Sequence, residues 1–154
     1  LEELAETENY IPDIVVRLLP TVPLQSPSDI DRCIQKISDS EWASSVVAVS
    51  EARQHPVKAL KLLEHSNGKI ELKPYTEGSS RDITPIARQN YSKAYFRANI
   101  IACWTPVIKN TKSLTGDHVA HVEVASWRTF DIDSETDFLM CELIAKNIDL
   151  FEKK

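Results

Sequence analysis

The chain has 154 residues, of which 42% are hydrophobic and 27% charged, and a net charge of −5. That length supports one domain with a real core, and nothing in the composition suggests a second. The acidic balance argues against a general nucleic-acid binder, and no apolar run approaches the length of a membrane span.

Residues 1–9 read as the tail of a helix, rich in Glu, with Leu1, Leu4 and Ala5 on one face. Residues 13–19 form a mostly apolar run of strand length, as suits a strand buried on both faces of a parallel sheet. Pro20 and Pro23 then force an irregular turn around Thr21, since neither can donate a backbone hydrogen bond. Ser28 opens a predicted helix to about residue 37, with Ile30, Cys33, Ile34 and Ile37 on its buried face. Residues 45–49 are the next buried strand.

The middle of the chain changes character. Residues 59–64 and 69–73 flank Asn67-Gly68, which tolerates the positive φ of a tight turn and predicts a hairpin. Residues 76–85 are polar. Residues 100–104 and 119–124 are further strands, joined by a polar stretch containing Thr115-Gly116-Asp117. A last helix begins at Ser134 and runs to about residue 151, with Phe138, Cys141, Ala145 and Ile148 along one side and Ile144 adjacent. Three cysteines, Cys33, Cys103 and Cys141, have no metal-ligand spacing and read as buried free thiols of a reducing cytoplasm.

The chemistry concentrates in Asp131-Ile132-Asp133. Two carboxylates one residue apart on an extended segment project to the same face. Oxygen donors held that close repel each other unless a hard cation or basic groups neutralise them. Mg²⁺ is the natural candidate, because it takes one or two carboxylates together with substrate phosphates. A solvated acidic loop is the plain alternative. Asp137, in the first turn of the following helix, reads more simply as a carboxylate favoured by the helix dipole.

In order, the chain offers Leu18-Leu19-Pro20-Thr21-Val22-Pro23-Leu24, Ser45-Val46-Val47-Ala48-Val49-Ser50 and His55-Pro56-Val57-Lys58. Arg88-Gln89, Tyr95-Phe96-Arg97-Ala98-Asn99 and the aspartate segment follow. This ordered set resembles the C-terminal part of the N-acylneuraminate cytidylyltransferases, which make CMP-activated sialic and related nonulosonic acids. The family patterns are similar to LQPTSPLR, SVVSV, HHPLK, RQ…(F/Y)RxNG and SIDIDTELD, and the likeness runs over about residues 12–150. It implies a Rossmann-like α/β nucleotidyltransferase sandwich with a mostly parallel sheet. It also implies a hairpin dimerisation insertion, roughly residues 55–95, and hence a homodimer.

The resemblance implies CTP and an acidic nine-carbon sugar as partners, Mg²⁺ as cofactor, and no nucleic acid or membrane. Asp131 and Asp133 match the metal-associated, catalytic aspartates. Thr21, Lys58, Arg88, Gln89, Arg97 and Asn99 match substrate-binding positions, with Lys58 and Arg88 placed to act across the dimer. The family's phosphate-cradling first strand and Gly-rich loop have no counterpart, and Gly68, Gly78 and Gly116 are far apart. Residues 1–154 are therefore expected to be the N-terminally truncated, C-terminal portion of a single nucleotidyltransferase domain. Other departures are Leu19 for the family's Gln, Gln25 for its closing Arg, and Ile100 where Gly would follow Asn99. Two alternatives stay open: a non-catalytic dimerising fragment, and a nucleotidyltransferase for another acidic sugar.

Overall fold

The computed structural model describes residues 1–76 and 91–152. It divides into two compact units, one of Leu1–Ser50 with Arg97–Lys154 and one of Glu51–Phe96. The stretch expected as an insertion falls within the second. No helix among the described residues is long and apolar enough to cross a membrane.

In the first unit, α1 (Glu2–Thr7) leads to β1 (Ile14–Arg17), α2 (Pro27–Ser38) and β2 (Ser45–Glu51). Further along the chain come β5 (Tyr95–Trp104), which begins within the second unit, α3 (Thr105–Thr111), β6 (Val119–Glu123), α4 (Glu135–Lys146) and α5 (Ile148–Glu152). The strand order is β1-β5-β2-β6. β1 pairs antiparallel with β5, and β2 pairs parallel with β6. The Trp104 N–H donates to the Ser44 carbonyl at one end and the Ala52 N–H to the Ala94 carbonyl at the other, so β5 also opposes β2. Three of these four strands therefore point one way and β5 the other. This is the expected α/β class with a mostly parallel strand direction.

The core is small-residue-rich. Val46 and Ala48 of β2, with Ala98, Ile100 and Ala102 of β5, pack against Cys33 and Ile37 of α2. All three cysteines are free and buried, as the sequence suggested. A second cluster joins Leu24 to Cys141 and Ile144 of α4, with Trp127, Phe130, Ile132 and Phe151 packed around it.

Several boundaries differ from expectation. The α2 N-cap is Ser26, not Ser28, because Pro27 takes the first helical position, where its missing N–H is no loss. The link between β5 and β6 contains α3, which begins at Thr105 with Pro106 in its first turn. The last helix breaks at Asn147 into α4 and α5. Its buried face is Cys141 and Ile144, while Phe138 is 55% exposed.

The second unit holds the hairpin of β3 (Leu60–Glu64) and β4 (Ile70–Pro74). Gly68 at its turn has φ +76°, as Asn-Gly predicted. His65 and Lys69 close the turn, the His65 N–H donating to the Lys69 carbonyl at 2.8 Å.

Candidate functional site

Of the residues named from sequence, Thr21 and the aspartates follow the ends of β1 and β6, while Arg97 and Asn99 lie in the first half of β5. Open α/β sheets place ligands at the carboxyl ends of their parallel strands, and β5, running oppositely, contributes its start to that end. Thr21 lies four residues beyond β1. The aspartate segment follows β6 through a single 3-10 turn, Ser126–Thr129. Arg97 and Asn99 occupy the first half of β5.

One backbone bond joins the first two of these. The Ile132 N–H donates to the Thr21 carbonyl at 2.9 Å, crossing the Pro20–Pro23 turn over the aspartates. Apolar packing fixes the crossing, because Leu24 comes from the first loop and Phe130 and Ile132 from the second. Gln25 closes the first loop by donating its Nε2 to the Leu19 carbonyl at 3.1 Å. This gives Gln25 a local structural role at the position where the sequence departs from an Arg.

The aspartates are not on a strand. Asp131-Ile132-Asp133 is an irregular segment, and its two carboxylates are unequal, Asp131 half-buried and Asp133 exposed. Asp131 Oδ1 is buried without a hydrogen-bond partner, as is Gln25 Oε1. A buried acceptor left unpaired costs about 1–3 kcal/mol unless a donor or cation arrives. Among the described residues there is no group of three or more His, Cys, Asp or Glu side chains that could hold a metal. Mg²⁺ does not require one, since phosphate and water oxygens complete its shell. The unpaired Asp131 oxygen is of the donor chemistry that Mg²⁺ takes.

Asp137 is a helix cap. Its Oδ2 accepts from Ser134 Oγ at 2.6 Å and from the Asp133 N–H at 3.3 Å, while Ser134 Oγ accepts from the Asp137 N–H. This reciprocal pair opens α4. The Ser134 hydroxyl bond, helped by the backbone N–H groups of Asp133 and Ser134 and opposed by some desolvation, holds the Asp137 carboxyl below its usual 3.8.

Arg128 escaped the sequence reading. Its guanidinium lies 4.2 Å over the Trp127 ring, donates to the Leu24 carbonyl at 3.4 Å and pairs with Glu152 at 2.9 Å. Its Nε is 3.9 Å from the buried Asp29, which Arg32 also meets at 2.6 Å. One side chain thus ties α2, the Thr21 loop and α5 to the aspartate segment. The only signal in sequence was an acidic residue in the first turn of α2, which looks like any helix-dipole carboxylate.

Arg97 and Asn99 line a cavity of about 460 Å³ together with Arg17 and the loop of residues 112–115. Asn99 has φ +64°, a left-handed conformation that asparagine tolerates better than most residues. Ile100, standing where the family pattern has Gly, is 2% exposed and belongs to the core. Lys58 lies in the second unit, exposed at the end of the 3-10 turn Pro56–Lys58. Arg88 and Gln89 lie outside the described residues.

No protein-family model matches the sequence, and no curated protein does. Solved structures match it in fold. One is a CMP:2-keto-3-deoxy-manno-octonic acid synthetase complexed with CTP, 14% identical with a TM-score of 0.58, covering 95% of this chain and 68% of that one. Another is the 4-diphosphocytidyl-2C-methyl-D-erythritol synthase of Anaerococcus prevotii DSM 20548, 14% identical with a TM-score of 0.52, covering 95% of this chain and 67% of that one. The chain thus has the nucleotidyltransferase fold of these two enzymes.

Proposed function

We propose that this protein transfers CMP from CTP to a hydroxyl of an acidic sugar, with release of pyrophosphate. The finer reading is a nonulosonic acid attacked through its anomeric hydroxyl. The observation that carries the proposal is the crossing of the Thr21 and Ile132 segments, with a buried, unpaired Asp131 oxygen beside it. It is supported by a fold shared with enzymes whose names describe cytidylyl products.

In this reading the acceptor oxygen attacks the α-phosphorus of CTP, and the bond to the β-phosphate oxygen breaks. The protein's task is positioning and charge neutralisation rather than covalent chemistry. Mg²⁺ held by Asp131 and Asp133 would supply neutralisation of phosphate charge. Thr21 offers a hydroxyl at the same crossing. Arg97 and Asn99 contact the acidic acceptor, the guanidinium at an anionic group and the amide at hydroxyls. Lys58, Arg88 and Gln89 complete the proposed substrate contacts, and the proposed compartment is the cytoplasm.

The test is pyrophosphate release from CTP and Mg²⁺ across a panel of acidic sugars. Turnover with at least one sugar, lost in Asp131→Ala while the fold persists, is expected. An absence of turnover together with an absence of Mg²⁺-dependent CTP binding refutes the proposal.

A second reading has its own observation. Leu62 faces Leu72 and Leu60 faces Pro74 across the hairpin, and Leu60, Leu62, Ile70 and Leu72 are all about half exposed or more. Such an apolar sheet face favours a homodimer through the hairpin, whether or not the protein is catalytic. Light scattering on Leu62→Glu would show a loss of dimer; a wild-type monomer at micromolar concentration would refute this reading.

A further inference from the structure

A second concentration of charge lies on the sheet face away from α2. Ile14 and Val16 pack against the core cluster that contains Cys33 and Ile37 of α2, so Arg17 projects to the other side. Its register partner is Ile101, which sets it beside β5. There Arg17, Arg97 and Lys112 share the cavity of about 460 Å³, and no carboxylate lines it. Among the described residues none of these three cations has an ion pair or a side-chain hydrogen bond.

The third side of the cavity is built, not loose. Lys112 caps α3 in a left-handed conformation, φ +54°, with its N–H on the Ile108 carbonyl. The Thr115 carbonyl accepts from the fully buried Ser45 hydroxyl at 2.6 Å. Ser113 and Thr115 hydroxyls lie 3.2 Å apart at the rim. One guanidinium suffices for one planar carboxylate. Three cations from three separate elements, with two hydroxyls, exceed that need and suit a tetrahedral oxyanion carrying about two charges.

We infer that Arg17, Arg97 and Lys112 form a binding site for a phosphate-class dianion. The source the fold favours is a phosphoryl group on the acceptor sugar, an assignment that rests on the cytidylyl-transfer reading above. Free inorganic phosphate is the other source of the same chemistry.

The experiment titrates the full chain with inorganic phosphate, and separately with acetate at matched ionic strength, following backbone amides of Asn99 and residues 113–115 by NMR. Saturable phosphate binding with shifts at those amides is expected, with no saturation by acetate. Arg17→Gln and Lys112→Gln should each weaken phosphate roughly tenfold. Should Arg17→Gln not fold, Lys112→Gln, at an exposed position, decides alone. Equal responses to the two anions, or unchanged phosphate affinity in Lys112→Gln, would overturn the site.

Turnover separates the sources. Preference for a phosphorylated sugar acid over its unphosphorylated form, abolished in Lys112→Gln, assigns the anion to the acceptor. Phosphate binding without that preference overturns the acceptor assignment and leaves free phosphate as the ligand. Binding of Mg²⁺·CTP to wild type and Asp131→Ala is measured independently, so failure of the transfer reading would not be mistaken for failure of this site.

Discussion

Replacing Gly116 by Ala should destabilise the first unit markedly, and the structure supplies both terms of the cost. Gly116 has φ +61°, where an L-residue is worse off by about 1–2 kcal/mol. A Cβ there would stand 2.8 Å from both Ser44 Cβ and Val107 Cγ1. Neither atom is the free end of a long side chain, so the backbone must shift, at roughly 1–3 kcal/mol for overpacking. The smaller entropy of the unfolded Ala chain returns about 0.4–1 kcal/mol. The net is a loss of about 1–5 kcal/mol, or roughly 2–18 °C in Tm for a chain of this size. Gly68→Ala is the internal control, because Gly68 also has positive φ, +76°, but nothing lies within 4 Å of its would-be Cβ. It should cost only the conformational term. Urea unfolding and calorimetry on both variants check this. A Gly116→Ala loss no larger than that of Gly68→Ala would refute the reasoning about the close approach.

Three further expectations are quick to check. Because Asp137 is held below its usual value, its contribution is present above about pH 3.8 and is lost as pH falls through the lower folded value; Ser134→Ala should move its NMR titration back up, and no movement would count against the cap. Burial pushes the Cys33 thiol up to about 11, so stability should decline as pH rises from 9 toward 11, and Cys33 should resist thiol reagents at pH 8 until the protein unfolds; rapid labelling of the native state would contradict its burial. Arg128→Ala should cost about 2 kcal/mol, on the scale of hydrogen bonds to charged groups, and speed hydrogen exchange of the Ile132 amide; unchanged exchange would show that apolar packing alone holds the crossing.

Much of the architecture was written in short-range patterns. The buried run of β2, the Asn67-Gly68 turn and the Ser134 cap each depend on residues within one element, and each lies where the pattern placed it. Elements whose signal depends on distant partners were harder. α3 was missed because Trp104-Thr105-Pro106 looks like the fraying end of a strand, whereas Thr105 is pinned by a bond from its hydroxyl to the Pro12 carbonyl, far off in sequence. Of the side expected for α4, Cys141 and the adjacent Ile144 are buried but Phe138 is exposed, since Phe138, Leu139, Leu143 and Ile144 offer more than one apolar face and only packing against Leu24 selects among them. The aspartates were legible as a pair but not as unequal. Asp131 is half-buried and Asp133 exposed on either side of the Ile132 bond to Thr21, a long-range contact that no spacing encodes. Arg17 was invisible for the same reason, a lone cation on an apolar strand whose importance comes from its neighbours on β5.

Asn99 bears on how chains of this kind are recognised. A motif written as Asn followed by Gly treats the glycine as the source of backbone freedom. Here the asparagine itself adopts the left-handed turn, and the next position is released to serve as a core residue, Ile100. A search pattern that insists on a glycine after the asparagine passes over this sequence, whose bend is made by Asn99 itself.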